Sequence, residues 1–421
     1  MFNNRNFTLL FSAQIVSLAG SGATTVGLAL FAHQLVGGGS AAAIIGNALM
    51  LRILAFLLFS QPAGILADRF DRKRILIGAD IVRFGLMATF PLITEVWQVY
   101  ALIFLINAAT AFFTPTYESA IPEVVGESHY VKALSLSRVA VDIEAVAAPA
   151  IAGVLVALLG LEWVFWFDAG TYLLSACLVA FAVLPRARKA PPPFALNRLA
   201  SDITFGLRLI LRQRPLRQAV LLSFAEATAG AAAIVATVIY VQDVLGYGAT
   251  SFALVMATLG LGSTVTALGL GAVTGRYESG ARNRKQLHGR RHRWAELALL
   301  SGGVVLSVQL LPGVLQPPLM VFALLWFLNG VGQALIAIPS SMLLAEHTLE
   351  DERGRAYAAH FALTHAFWLI TYPAVGFGTS AFGAPITFTA AGIVCLATTL
   401  VVLISRRHVN DHEHTSKPKA P

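Results

Sequence analysis

Charge is what this chain has least of. Asp, Glu, Lys and Arg make up 12% of its 421 residues, where a soluble domain carries about 25%. Hydrophobic residues supply 57%, and the mean hydropathy is +0.71. This composition excludes an ordinary water-soluble globule and requires lipid as part of the solvent. Cysteine is nearly absent, with only Cys177 and Cys395, both inside apolar runs. Two isolated thiols exclude a disulfide framework and a CxxC metal site, and both read as core filler. Catalytic signatures are missing too. The chain has no G-x-S-x-G, no H-E-x-x-H and no GxxxxGK[ST] string, so neither hydrolase, metalloprotease nor built-in ATPase is indicated. Gly260-Leu261-Gly262 lacks the third glycine of a nucleotide loop and lies in an apolar run, where it reads as packing. No cofactor is expected.

What the chain does have is long apolar runs. Crossing roughly 30 Å of hydrocarbon takes about 20 apolar residues per helix, which leaves room for about twelve spans. Bounded by charges, Gly and Pro, they fall at roughly 7–34, 41–66, 74–93, 98–118, 137–159 and 163–184, then 216–240, 249–275, 295–312, 318–343, 355–377 and 384–404. The first run is too long for a signal-peptide core and no cleavage site follows it, so it is expected to remain as a span.

Lys and Arg are strictly partitioned. Apart from Arg52 and Arg83, deep inside spans, all of them fall on the termini, on one alternating set of loops or within the first two residues of the spans that leave those loops. The opposite loops (35–40, 94–97, 160–162, 241–248, 313–317, 378–383) hold none. Cytoplasmic loops keep Lys and Arg while translocated loops shed them. The pattern predicts an even number of spans with both termini in the cytoplasm of a cell (inner) membrane protein. The net charge of +8 then belongs to a membrane surface rather than to nucleic acid binding.

Four segments follow: a six-helix bundle over 1–184, a cytoplasmic linker over 185–215, a second six-helix bundle over 216–404 and a cytoplasmic tail over 405–421. The linker opens with Pro185 and Pro191-Pro192-Pro193, a stiff spacer. Leu196, Leu199, Ile203, Leu207, Ile210 and Leu211 then recur at helical spacing among Arg198, Asp202, Arg208 and Arg212, an amphipathic helix suited to an anionic leaflet. His408, Asp411, His412, Glu413 and His414 read as a solvated polar tail, not a metal site.

The most informative stretch is Gly64-Ile65-Leu66-Ala67-Asp68-Arg69-Phe70-Asp71-Arg72-Lys73-Arg74. Gly64 lets two helices approach closely. Asp68 can face the positive N-terminal end of a neighbouring helix, a contact worth up to about 2 kcal/mol when partly buried. Arg69, Arg72 and Lys73 can pair with acids on adjacent cytoplasmic ends, so the group forms a latch for an inner gate. Gly271-Ala272-Val273-Thr274-Gly275-Arg276-Tyr277 is a faded copy in the second half, with Gly271 and Arg276 in the places of Gly64 and Arg69. Duplicated six-helix halves are a common plan of secondary transporters.

These residues resemble the major facilitator superfamily, whose loop between spans two and three reads G-x-L-a-D-r-x-g-r-k; Asp71 stands where its second glycine is usual. Ala148-Pro149-Ala150-Ile151-Ala152-Gly153 is similar to an eroded form of the Gly-Pro motif of the family's antiporters, with Pro149 bending the helix and Gly153 admitting a close neighbour. Phe112-Phe113-Thr114-Pro115, Ile121-Pro122-Glu123-Val124-Val125 and Phe167-Asp168-Ala169 resemble the branch containing macrolide and enterobactin exporters. The resemblance implies an all-α integral membrane protein of twelve helices in two pseudo-symmetric six-helix bundles. It also implies export of amphipathic small molecules, drugs or siderophores, by proton antiport and alternating access.

An ionisable group in hydrocarbon is a functional candidate by default. The set is Arg52, Asp80, Arg83, Asp142, Glu144, Asp168 and Glu226, with Asn47 and Asn107 as polar companions. Asp80 and Arg83 are three apart and can pair on one helix face, as can Arg138 and Asp142, four apart. Glu144 and Glu226 have no such partner. Burial disfavours the charged form of a carboxyl group, so an acid near mid-span, as Glu226 is, can be loaded and unloaded by a proton gradient or can offset a cationic substrate. Substrate or coupling roles are therefore assigned to Glu226, Glu144, Asp142 and Arg52, with Asp80 and Arg83 as a further pair, and Asp168 is read as structural. His33, His360 and His365 read as satisfied or interfacial, and Trp163 and Trp166 as interface anchors. The expected partners are a small-molecule substrate, a proton and membrane lipid, with the protein as a monomer. An uptake permease or a lipid flippase fits the same scaffold, and a membrane sensor without transport is the reading from another class.

Overall fold

The structure is a computed structural model that describes residues 4–125, 151–184, 196–279, 284–348 and 353–415, with scattered positions between 133 and 148. Within them every regular element is helical. Helix α1 (Arg5–Val36) is started by the Asn4 side chain, which accepts from the backbone N–H of Asn6 and Phe7 at 3.1 and 3.3 Å. It stops at Gly37, whose φ of 68° suits a residue without Cβ. There follow α2 (Gly38–Arg69), α3 (Arg72–Ala88), α4 (Val96–Val125), α5 (helical at every described position between 133 and 158) and α6 (Glu162–Phe181). The amphipathic linker helix is α7 (Leu196–Arg212). The second half holds α8 (Arg214–Val235), α9 (Ala249–Ser279), α10 (Arg284–Leu310), α11 (Leu319–Glu346), α12 (Arg353–Phe382) and α13 (Ala384–Thr415).

Ten of these helices, α1–α4, α6, α8–α11 and α13, are long and apolar enough to cross a membrane. The other two expected spans fall on α5, described in part, and on α12, a 30-residue helix. Many large apolar side chains face outward, among them Leu158 at 76% and Met320 at 87% exposure, the surface that lipid rather than water accepts. Cys177 lies on this outer surface and not in the core as read from the sequence, while Cys395 is buried. Periodicity could not separate the two, because a helix in lipid is apolar on its outer face as well as its inner one.

Two compact units are distinguished, each described by itself. The first comprises Met1–Ala195, Ile234–Gly260 and Tyr372–Ala384. In it α1 packs on α6 and α2, α2 on α4, and α3 on α4 and α6. Phe7, Leu10, Leu76, Phe113, Tyr117, Ile121 and Val179 form an apolar core at one end. At the other end Phe90 stacks on Phe165 at 4.3 Å with Phe31 edge-on to both. The seventh expected span breaks here. Helix α8 ends at Val235, and a turn at Thr237–Ile239 leads into a π-helical turn at Tyr240–Val244. Irregular backbone at membrane depth is tolerated where protein buries it, and residues from Val235 to Val241 are at most 4% exposed.

The second unit comprises Leu196–Ala233, Leu261–Thr371 and Pro385–Pro421. Its helices close up through small residues. A Cβ on Gly262 would run into the Phe327 carbonyl, so α9 and α11 touch backbone to backbone there. That is the packing role read for the Gly260-Leu261-Gly262 string. Phe322, Trp326 and Phe388 fill the space between α11 and α13, with ring centroids 3.9 and 5.0 Å apart.

Candidate functional site

The stretch Ser17-Leu18-Ala19-Gly20-Ser21-Gly22-Ala23-Thr24-Thr25 of α1 is built from small and hydroxyl-bearing residues. Helical spacing puts Ser17, Gly20 and Thr24 on one face, and Gly22 and Thr25 on another. Each face meets a separate charged cluster.

The Ser17 face closes over α3 and α6. Arg83 pairs with Asp80 one turn earlier on α3, as their spacing predicts. Its guanidinium also reaches Ser17 Oγ at 3.4 Å and lies between the rings of Phe113 and Tyr172, 4.4 Å from each centroid. On α6, Asp168 Oδ2 accepts from the Thr24 hydroxyl at 2.7 Å. The Thr171 hydroxyl donates to the Asp168 carbonyl at 2.7 Å and lies 3.3 Å from Oδ1. A Cβ on Gly20 would meet Thr171 Oγ1 and Asp168 Oδ1, so only glycine lets α1 seal this carboxyl. Asp80, Arg83 and Asp168 are 0, 2 and 0% exposed. Removing one member of a buried charge pair costs about 3–5 kcal/mol, which makes this network a fixed point of the fold.

The Gly22 face is more open. Arg52 on α2 is exposed and donates to Thr25 Oγ1 at 3.1 Å. The Glu144 carboxyl rests against Gly22, where a Cβ would collide with Oε1, and lies within electrostatic reach of Arg52. Asn47 Nδ2 contacts Tyr100 Oη at 3.4 Å. An arginine and a carboxylate that share an open surface without a direct ion pair can each turn to a charged ligand. Near the end of α1, His33 Nε2 contacts Asp243 Oδ1 at 2.8 Å.

In the second unit Glu226 sits in the middle of α8, half-buried. Among the described residues no hydrogen bond or ion pair reaches its carboxyl. Elsewhere on the same helix Phe224 meets Phe367 edge-on at 5.3 Å, the Ala227 carbonyl accepts from Thr371 at 3.3 Å, and Trp368 covers Gly230. His360 and His365 lie on α12, where His365 Nδ1 contacts its own helix at the Phe361 carbonyl.

The other sequence candidates are placed as follows. Gly64, Asp68 and Arg69 form the end of α2, and nothing is described of their side chains. Asp71, in the position where a glycine is usual, caps α3 by accepting from the backbone N–H of Lys73 and Arg74 at 2.9 and 3.4 Å. Arg72 is buried and Lys73 half-buried. In the second-half copy Gly271 is exposed, and a Cβ there would meet nothing within 4 Å among the described residues. Gly153 does serve a close approach, its would-be Cβ standing 2.8 Å from that of Ala253. Asp142, Arg138 and Pro149 lie outside the described residues. Sequence reasoning missed that Asp168 completes the Asp80–Arg83 pair and that Asp243 faces His33. The run of small residues at 17–25 was the available signal for the first.

Helices of this length, an apolar outer surface and charges gathered inside one bundle define a multi-span membrane transport scaffold. The chain belongs to the Major Facilitator Superfamily, whose pattern matches residues 10–289 and 286–421, a family of transporters for small molecules rather than of enzymes. It is 25% identical over 363 residues to a Bacillus subtilis (strain 168) protein named uncharacterized MFS-type transporter YfiS, covering 84% of this chain and 82% of that one. Macrolide efflux protein A of Streptococcus pyogenes is 26% identical over 185 residues, 43% of this chain and 45% of that protein. Multidrug efflux pump Tap of Mycobacterium bovis (strain BCG / Pasteur 1173P2) is 29% identical over 221 residues, 50% and 52% of the two chains. The chain thus matches only about half the length of these two efflux proteins. Among solved structures, the nucleoside transporter NupG superposes with a TM-score of 0.73 at 11% identity, covering 94% of this chain and 98% of that one. A POT family transporter in complex with 5-aminolevulinic acid gives 0.72 at 10% identity, covering 95% and 96%. At such identities the likeness is one of fold.

Proposed function

We propose that this transporter exports amphipathic small molecules in exchange for protons, by alternating access, from a cell membrane in which both termini are cytoplasmic. The observation that carries the reading is Glu226: an acid in the middle of a membrane helix with no hydrogen bond or ion pair among the described residues. A carboxyl group kept at that depth without a structural partner is retained for something that comes and goes. A proton and a cationic part of a substrate are the two occupants its chemistry accepts. Export then runs by exclusion: the substrate is held while Glu226 is ionised, and a proton arriving from outside neutralises the acid and releases it. Arg52 on α2 and Glu144 on α5, facing the Gly22 side of α1, supply a second contact for polar substrate groups, with Asp142 a further candidate. Gly64, Asp68, Arg69, Arg72 and Lys73 act as the inner latch, with Pro149 and Gly153 as the bend and close contact of α5. The efflux-named relatives support the direction, and the Lys/Arg partition supports the orientation.

The test is retention of cationic dyes, macrolides, tetracyclines and an iron chelator in cells stripped of their own pumps. Cells making the parent chain should retain less of at least one compound than empty cells. Glu226→Gln and Asp68→Asn, at equal membrane level, should each lose that difference. Inward flux along the proton gradient in oriented vesicles would overturn export in favour of uptake. An unchanged Glu226→Gln would remove Glu226 from the mechanism.

A further inference from the structure

We propose that Asp168 holds a proton in this conformation, which makes the Asp80–Arg83–Asp168 cluster a proton-binding site inside the first unit, separate from Glu226. The charges in the cluster do not balance if both acids are ionised. Two carboxyl groups share one guanidinium, and all three residues are at most 2% exposed. Charged groups reach the cluster from α3, as Asp80 and Arg83, and at longer range from Arg52 on α2. Helix α1 contributes the hydroxyls of Ser17 and Thr24, α4 the ring of Phe113, and α6 the side chains of Thr171 and Tyr172. Glu144 approaches α1 at Gly22, on the other face. Two ionised acids would leave one uncompensated negative charge in a fully buried site, whereas a neutral carboxyl costs only its hydrogen bonds.

The two acids differ in their partners. Asp80 makes the direct pair with Arg83. Asp168 is instead surrounded by hydroxyls. Thr171 has a single hydroxyl proton, and at 2.7 Å it goes to the Asp168 carbonyl. The same hydroxyl can turn or be shared toward Asp168 Oδ1, 3.3 Å away. A protonated Oδ1 donates to Thr171, while Oδ2 accepts from Thr24 at 2.7 Å. The hydroxyls of Thr24, Thr171 and Tyr172 can serve the carboxyl in either form, so the choice of Asp168 as the neutral acid rests on Arg83 being paired directly with Asp80. Gly20 keeps water out by letting α1 lie directly on the group.

The site has a built-in release. If α1 draws away from α6, water reaches Asp168 and accepts its proton, and Arg83 neutralises the carboxylate left behind. Arg83 and the proton therefore compete for Asp168, and Asp80 holds Arg83 away while the proton is bound. Occupancy by a proton rests on the geometry alone; its use as a coupling proton rests on the exporter reading.

The experiment is infrared spectroscopy of the purified full-length protein in lipid nanodiscs, reading the C=O stretch of neutral carboxylic acids. Asp168→Asn should remove a band that Glu226→Gln leaves in place. Thr24→Val should move that band to higher frequency without removing it, because one hydrogen bond to the C=O is lost. Asp80→Asn should also abolish it, since Arg83 then has only Asp168 to neutralise it and the proton is no longer needed. A role in packing alone predicts none of this dependence on Asp80. A folded Asp168→Asn protein with an unchanged spectrum overturns the proposal, as does a band that persists in Asp80→Asn. Should Asp168→Asn not fold, an unshifted band in Thr24→Val overturns it instead. Efflux by the same variants is scored separately: proton-independent export alongside the expected spectra keeps the site and rejects antiport.

Discussion

The two compact units treat buried acid in opposite ways. In the first, Asp80 and Asp168 are enclosed completely and tied to Arg83, Thr24 and Thr171 across three helices. In the second, Glu226 is half-buried and stands without a partner among the described residues. The same functional group thus carries different loads. An acid tied to a buried cation helps define where helices sit, because breaking the pair strands a charge. A solitary acid adds nothing to helix packing and costs free energy to keep at depth, so its return must come from a ligand or a proton. Changes in the first network are expected to cost stability, whereas a change at Glu226 is expected to cost transport while leaving stability intact.

The largest effect on stability should follow Arg83→Leu. It leaves Asp80 buried without its cation, and a loss of about 3–5 kcal/mol should show as a collapse of the thermal midpoint in nanodiscs. A variant as stable as the parent would mean that the cluster is not an ion pair. Gly20→Val comes next. Its added atoms meet Asp168 and Thr171, and overpacking of this kind costs about 1–3 kcal/mol, read in the same melt. Thr24→Val removes a single hydrogen bond and should cost about 1 kcal/mol, with transport reduced rather than abolished. Smallest of all should be Glu226→Gln, which keeps the volume and loses no described contact. Its midpoint should not move, yet compound retention should return to that of empty cells. A Glu226→Gln protein that melts early would place this acid with the structural ones and erase the contrast.

Much of the fold was legible in the residues because bilayer thickness, the absence of water and the asymmetry of charge act on each segment by itself. The apolar runs located the ten span-like helices, and the interval from Asp80 to Arg83 anticipated their pairing. Asp71 shows a partial success. The position was recognised as a departure from the family loop, but only the backbone revealed that its carboxylate caps α3. Asp168 was read as structural from its place in a motif, with no means of joining it to Arg83. Its hydrogen bond to Thr24 spans 144 residues of chain, and the contact of His33 with Asp243 spans 210. No local spacing encodes such distances.

A polytopic helical membrane protein follows from the residues alone, because the cost of charge and unpaired backbone in lipid is set residue by residue. That few ionisable groups enter the hydrocarbon, and which they are, follows from the residues too. Which of those groups are partnered emerges only once the helices are packed. The choice between Asp168 inside a network and Glu226 outside one depends on which helices touch and at which faces. A glycine such as Gly20 is just another small residue until α6 is seen lying against it.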